Sequence, residues 1–410
     1  MSILKKLTCL VLAFAMLLSL AACGGGSSGG TTGGGAAGDG SAAGAAPAGA
    51  SEYRVAMITD SGDITDQSFN QTTYEACKAF CEANGVDFTY KKPDGDTDDA
   101  RIAMVDAAVG EGYNIIVMPG YLFAGALVER TSTYPDVKFI ALDMSVGDIL
   151  SAALADEYDY NPDNWNVADY YNAENTYCAV YQEELPGFMA GYAAVKLGYK
   201  KLGFLGGMAV PAVIRYGYGF LQGADCAAVE MGIADEVSVE YAYGGQFYGS
   251  SEITAAMDTW YQGGTEVVFA CGGGIYTSAA EAAAKVGGKV IGVDSDQAPV
   301  IDQYGEGMTV TSAMKGLAPT ITMILDSIIL SNTWDEHKGQ VENLGLVDAE
   351  DLDQNYVGLA PSTQWSNSFT EDDYKELVKE MVVGDIVVSN AVDSLPDLAI
   401  KVNVREGSIM

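Results

Sequence analysis

"MITDSGDITDQSFNQ", Met57 to Gln71, is the stretch on which the fold reading turns. An apolar run from Tyr53 stops at Thr59-Asp60. Two more acids, Asp63 and Asp66, follow among Ser, Gly and Thr. A lone aromatic, Phe69, then stands between Ser68 and Asn70. A short apolar run bounded by turn residues reads as a buried strand. A helical pattern, Gln71–Asn84, follows it. A strand that ends in polar residues before a helix is where an open α/β sheet meets ligand.

The same unit repeats along the chain. Strands are predicted at Tyr53–Thr59, Asp87–Lys91, Asn114–Met118, Val137–Leu142, Lys201–Leu205, Val237–Tyr243, Glu266–Cys271, Lys289–Val293, Met308–Ser312 and Tyr356–Leu359. Helices are predicted at Gln71–Asn84, Asp98–Gly110, Phe188–Leu197, Val213–Met231, Ser251–Gln262, Ser278–Val286, Leu317–Leu330 and Thr370–Val383. The strands are mostly apolar throughout, as parallel strands covered on both faces must be. Alternation of this kind gives a doubly wound α/β architecture. Residues 147–176 break the rhythm with a Tyr- and Asn-rich stretch, read here as the first crossover between two lobes, with an insertion. Residues 51–147 with about 298–332 then form an N-terminal lobe, and 148–297 with about 333–362 a C-terminal lobe. Residues 363–410 form an extension packing on both. A ligand site is expected in the cleft, because the polar residues gather at the strand ends: Thr59-Asp60, Pro119-Gly120, Asp143-Met144, Gly206-Gly207, Gly244-Gly245, Gly272–Gly274 and Asp294–Asp296.

The 410 residues include 21 basic and 56 acidic ones, a net charge of −35. That field repels phosphate backbones and argues against a nucleic-acid partner. It favours a neutral or cationic ligand. At the N-terminus, Lys5 and Lys6 precede an apolar run, Leu7 to Ala22, shorter than the roughly 20 residues of a spanning helix. The run closes with "LAAC", Leu20 to Cys23, the pattern of an export signal over residues 1–22. It resembles a bacterial lipobox in which Cys23 carries lipid; an ordinary signal peptide with an incidental Cys is the competing reading. Residues 24–50 are nearly all Gly, Ala and Ser, a flexible tether. The remaining cysteines, Cys77, Cys81, Cys178, Cys226 and Cys271, are odd in number and form no CxxC, so Cys77 and Cys81 read as small core residues.

Enzyme chemistry finds little support. The single His, His337, lies in a polar segment and reads as a surface residue, which leaves a Ser or Cys nucleophile without a base. "GGGIYTSAA" has neither the G-x-G-x-x-G order nor a P-loop Gly-Lys-Ser/Thr. "DGDTDD", Asp94 to Asp99, starts like a calcium loop but has Asp99 at the glycine position and Val105 at the glutamate position. No catalytic residue, cofactor or metal is expected. Lys315 stands out instead. It opens helix Leu317–Leu330, where a cation opposes the macrodipole at a cost of about 0.3–1 kcal/mol. Asp294 or Asp296, or a ligand oxygen, is the expected offset; a Lys315 that simply reaches to solvent is the competing reading. Phe69 and Phe247 could offer one ring from each lobe to a flat ligand; core or loop packing is the competing reading for each.

"TDSGDITDQSFNQ", "GFLGGMAVPAVIRYGYGFLQG", "YAYGGQF", "VIGVDSDQ" and "TSAMK" occur in the order seen in the basic membrane protein family. More closely, the chain resembles the PnrA-like purine nucleoside-binding lipoproteins of ABC importers, over roughly Tyr53 to Leu330. The resemblance implies a type I periplasmic-binding fold: two Rossmann-like lobes, three hinge crossings and an interlobe cleft. It implies an extracytoplasmic, lipid-anchored, monomeric protein that delivers a nucleoside to a membrane permease without catalysis. It puts Phe69 and Phe247 on the two faces of the base, Asn70 and Asp143 at base edges, and Asp294 and Lys315 on ribose hydroxyls. The Gly272-Gly273-Gly274 loop would approach the sugar and Asp60 would line the cleft floor, with Asp63 and Asp66 shaping the turn. A sugar or other small neutral metabolite, or a ligand-sensing role, is the alternative on the same fold. Two features depart from the family: the length of 147–176, and Gln246 and Tyr248-Gly249 around Phe247.

Overall fold

The computed structural model describes residues 52–410. The predicted signal, lipidated Cys23 and tether lie outside the described residues. In the first lobe the chain runs β1 (Arg54–Ile58), α1 (Phe69–Asn84), β2 (Asp87–Lys91), α2 (Asp98–Gly110), β3 (Ile115–Pro119), α3 (Ala124–Arg130), β4 (Lys138–Leu142), α4 (Val146–Leu154) and β5 (Thr176–Tyr181). It crosses and builds α5 (Glu184–Lys196), β6 (Lys201–Gly206), α6 (Pro211–Glu230), β7 (Ser238–Tyr243), α7 (Ser251–Gln262), β8 (Val267–Cys271), α8 (Tyr276–Ala284), β9 (Lys289–Asp294), α9 (Ala298–Ile301) and β10 (Thr309–Lys315). It returns for α10 (Leu317–Ile329) and β11 (Val341–Leu344), then crosses again for β12 (Val357–Leu359), α11 (Glu371–Val383) and β13 (Lys401–Ser408).

The first sheet has the order β11-β5-β4-β3-β1-β2 and the second β12-β10-β9-β8-β6-β7-β13. Among the described strands only β10 and β12 pair antiparallel. Hydroxyl caps start several helices: Thr97 accepts from the Ala100 N–H, and Ser145 and Thr370 form capping boxes with Asp148 and Asp373. Both sheets are covered on two faces, so the central strands β3 and β8 are buried along their whole length.

Three crossings lie side by side. The Gln182 N–H donates to Leu344 at 2.9 Å, Tyr356 to Gly345 at 2.9 Å and Gly316 to Tyr356 at 2.6 Å. The crossings fall elsewhere than the sequence suggested. Strand β5 pairs in parallel with β4, so residues 147–176 connect two neighbours of the first sheet and the first crossover comes at Gln182-Glu183. "TYCAVY" is rich in Thr, Tyr and Val, which favour strands, but it follows directly on the polar 147–176 stretch and is not among the strands predicted from the sequence. Strand β10 joins the second sheet, not the first lobe. The 363–410 segment belongs to the second lobe alone. Helix α11 gives Tyr374, Leu377 and Val378 to that lobe's core, and the exposed, polar β13 extends its sheet beside β7.

Candidate functional site

The C-terminal strand ends of both lobes enclose a cavity of about 850 Å³. The first-lobe wall is the quoted opening stretch. Asp66 organises it. Its Oδ1 accepts from the N–H groups of Ser68 and Gln71 at 2.9 and 3.0 Å; its Oδ2 accepts from Asn70 N–H and Nδ2 at 2.9 and 3.0 Å. These bonds satisfy first-turn donors of α1 from outside the helix. Ser68, at the N-cap, makes no side-chain cap. Its hydroxyl reaches across the cleft to Asp294 Oδ2 at 2.5 Å. Asp60 accepts from Gly62 N–H at 2.7 Å and Asn70 Nδ2 at 3.0 Å, yet burial pushes its carboxyl up to about 6. Asp63 pairs with Lys92 at 2.5 Å at the outer edge.

The second-lobe wall is made of close approach. Strands β6, β7 and β8 end in glycines, and the Phe247 ring lies on two of them. A Cβ at Gly207 would come within 2.4 Å of the ring, and one at Gly272 within 2.8 Å. Gly272 and Gly273 also hold φ values of +140° and +52°, open to glycine at little cost. The Gly274 N–H donates to the Phe247 carbonyl at 2.9 Å. Behind this wall α5 and α6 interlock through four glycines. A Cβ on Gly187, Gly191, Gly219 or Gly223 would lie 2.3, 2.0, 2.1 or 1.9 Å from a carbonyl oxygen of the facing helix. That contact brings Glu183, just ahead of α5, against Arg215 of α6: Arg215 Nε donates to Glu183 Oε2 at 2.6 Å.

Lys315 closes the floor where two crossings meet. Its Nζ lies 2.6 Å from Asp143, 3.6 Å from Glu183 and 3.8 Å from Asp294. It also sits 4.8 Å from the Phe69 ring centroid and 5.5 Å from that of Tyr181. Its side chain is 3% exposed, and three carboxylates keep it charged against the desolvation that would neutralise it. Burial pushes Asp143 up to about 6 despite the Lys315 ammonium, and pushes Asp294 up in the same way. Asp143 and Asp294 both end strands at positive φ, +52° and +65°, one in each lobe. Such strained backbone at matched strand ends aims both carboxylates at one cation. Asp143 Oδ1, Glu183 Oε1 and Tyr216 Oη are buried without a hydrogen-bond partner among the described residues. Buried polar atoms left unpartnered point to a guest or water.

All nine residues expected at the site, Asp60, Phe69, Asn70, Asp143, Phe247, Gly272, Gly273, Asp294 and Lys315, line this cavity. Three sit differently from expectation. Both amide hydrogens of Asn70 are already engaged by Asp60 and Asp66, so it braces the loop and has no donor left for a base edge. Asp143 stands with Lys315, at the charged floor. The glycines of Gly272–Gly274 seat the Phe247 ring. Asp296, one candidate offset for Lys315, instead accepts from Ser362 and from the Ala298 N–H. Asp96 and Asp98 of the calcium-like stretch pair with Arg101 at 2.7 and 3.1 Å. His337 is half-buried, edge-on to Tyr177, since the chain folds back over β5 there. Cys77 and Cys81 are unpaired core residues of the first lobe. Glu183, Arg215 and Tyr216 escaped sequence reading: Arg215 and Tyr216 lie inside "GFLGGMAVPAVIRYGYGFLQG", which carries the resemblance without an assigned role, and Glu183 follows the unpredicted strand β5. The four-residue glycine spacing on both helices was the available signal.

Two doubly wound lobes, adjoining crossings and a cleft lined from both sides form a site of the size and shape that holds a small molecule. The chain belongs to the Bmp family, ABC transporter substrate-binding proteins of the PnrA-like kind, whose model matches residues 53–389. It is similar to the ABC transporter nucleoside-binding protein BmpA of Lactococcus lactis, 24% identical over 260 residues; that match covers 60% of this chain and 65% of the relative's length. An uncharacterised lipoprotein of Pyrococcus abyssi is 25% identical over 347 residues, covering 81% of this chain and 78% of its own. The expected type I periplasmic-binding fold is confirmed by a solute-binding protein of an ABC transporter system from Aeropyrum pernix. It superposes with a TM-score of 0.59 at 21% identity, covering 82% of this chain and 87% of its own.

Proposed function

We propose that this protein captures a nucleoside, preferably a purine nucleoside, in its interlobe cleft and hands it to the permease of an ABC importer. The observation that carries the reading is the pairing of one aromatic ring from each lobe, Phe69 and Phe247, with a charged floor in the same cavity. A planar base fits between rings, and base–ring stacking contributes roughly 1–3 kcal/mol. Vicinal hydroxyls suit a floor of carboxylates around one ammonium, since hydrogen bonds to charged groups contribute about 1.5–3 kcal/mol each. In this arrangement the base lies between Phe69 and Phe247, and the ribose hydroxyls meet Asp294, Asp143 and Lys315. Asp60 borders the base, while Asn70 and Gly272–Gly274 hold the walls. The volume falls in the roughly 300–1,000 Å³ range of small-molecule sites. The name of the Lactococcus relative agrees with this ligand class. No catalytic step is needed, and the protein works outside the cytoplasm, anchored by lipid on Cys23.

A thermal-shift panel of nucleosides, free bases, sugars and amino acids tests the ligand class, because a ligand stabilises by RT ln(1 + [L]/Kd). Nucleosides are expected to raise the melting temperature most. A sugar that stabilises while no nucleoside does would replace this reading. Turnover of a nucleoside above the buffer rate would remove it. Cys23→Ala is expected to release the protein from membranes; a mutant that stays bound contradicts the anchor.

A further inference from the structure

We propose that Arg215 is a ligand-contacting residue that reads a hydrogen-bond acceptor on the nucleoside. The inference rests on the nucleoside reading above and adds a specificity determinant to it. The helix interlock fixes the guanidinium at one edge only. Nε donates to Glu183 Oε2 at 2.6 Å, and the Glu183 side chain is 0% exposed, a rigid anchor. The two terminal nitrogens donate no hydrogen bond among the described residues, and Arg215 lines the cleft with its side chain 19% exposed. A planar guanidinium held this way presents a preset fork of donors.

The rest of the cavity makes those donors matter. Lys315 faces three carboxylates. Lys92 is paired with Asp63. Asp60, Asp143 and Asp148 offer acceptors to a ligand's donors. The acceptors that a nucleoside would offer this fork are the ribose 5′ oxygen and the carbonyl at position 6. Arg215 is the cleft cation whose fork is left for them. Its place is next to the floor, because Lys315 Nζ lies 3.6 Å from Oε1 of the same Glu183 carboxylate. A phosphate is disfavoured there. Asp143, Glu183 and Asp294 outnumber Lys315 and Arg215, so the guest's acceptor is neutral.

The test is a titration matrix. Wild type, Arg215→Met and Arg215→Lys are titrated with inosine, 5′-deoxyinosine and purine riboside, which lacks the 6-oxo group. Arg215→Met is expected to weaken inosine about tenfold or more, since a hydrogen bond to a charged donor is of that size. For the analogue that lacks the contacted atom the loss shrinks to about twofold, so the three columns show whether the sugar or the base is read. Arg215→Lys keeps the charge beside Glu183 and the wild-type melting temperature, but loses the same selectivity. Equal losses for all three ligands in both variants, or no loss, would overturn the proposal, the first by making Arg215 a structural prop. Failure of wild type to bind inosine removes the nucleoside reading itself, a result distinct from an unselective Arg215.

Discussion

The two walls of the cleft hold their shape by opposite means. The first-lobe wall is a loop of acids braced by amide and backbone donors, with Asp66 accepting four hydrogen bonds and the Asn70 side chain donating two. The second-lobe wall has almost no polar bracing. It is stiff because backbone meets backbone and ring at glycines. Removing a charge or an amide should therefore damage the first wall, and adding a methyl should damage the second. Lys315 belongs to neither. It bonds Asp143 of one lobe and approaches Asp294 of the other, so it ties the walls together.

Lys315→Met is expected to have the largest effect. It leaves three buried or half-buried carboxylates facing each other, and breaking a buried pair costs about 3–5 kcal/mol. Chemical denaturation should show that loss, with nucleoside binding abolished. Retained stability would mean that water reaches the floor and that the walls are not tied there. Next comes Gly223→Ala, whose Cβ would lie 1.9 Å from the Phe188 carbonyl oxygen. Overpacking against backbone costs typically 1–3 kcal/mol, sometimes more. The same measurement on Gly110→Ala, at the end of α2, where an added Cβ would meet nothing within 4 Å, should be neutral or slightly stabilising. Equal effects would deny that the second wall depends on close approach.

Phe69→Ala and Phe247→Ala sharpen the comparison at the level of binding. Each ring is half-buried and each should contribute about 1–3 kcal/mol of stacking, so each variant should bind nucleoside and free base about ten- to a hundredfold more weakly. If only one ring matters in equilibrium titration, the clamp is one-sided.

The smallest effect is a pH dependence. Burial pushes Glu184, at the start of α5, up to about 7. Its folded value lies above its unfolded one, so its stabilising contribution is complete below about pH 4.5 and is lost as pH rises through about 7. Glu184→Gln should match wild type in denaturant midpoint near pH 4.5 and exceed it at pH 8, by about 1–3 kcal/mol. A variant less stable than wild type at pH 8 would show that the ionised carboxylate has a partner.

The cleft residues were legible in the sequence because strand ends punctuate it. Asp60, Asp143 and Asp294 each interrupt an apolar run, and the glycine pairs after β6, β7 and β8 cannot belong to strand interiors. What they touch was not legible. Asn70 looks like a ligand donor until Asp60 and Asp66 are seen to take both its hydrogens. The lobe boundaries were hidden for a related reason. β5 and β10 lie at crossings, where a strand's sheet is decided by partners far along the chain. β11 and β13 are short or exposed edge strands whose residues, "VENL" and "KVNVREGS", show no apolar run. Glu183 and Arg215 meet only because glycines on two helices coincide in space.

Calorimetric titration of inosine and hypoxanthine into wild type and Asp294→Ala tests the central claim most directly. The carboxylate of Asp294 accepts from Ser68 and stands 3.8 Å from Lys315, at the floor assigned to the ribose. Wild type is expected to bind inosine. The variant should lose about one to two decades of affinity for inosine, each decade being 1.4 kcal/mol, and much less for hypoxanthine, which has no ribose to hold. Equal losses for the nucleoside and the free base, or no binding of inosine to wild type, would contradict the account.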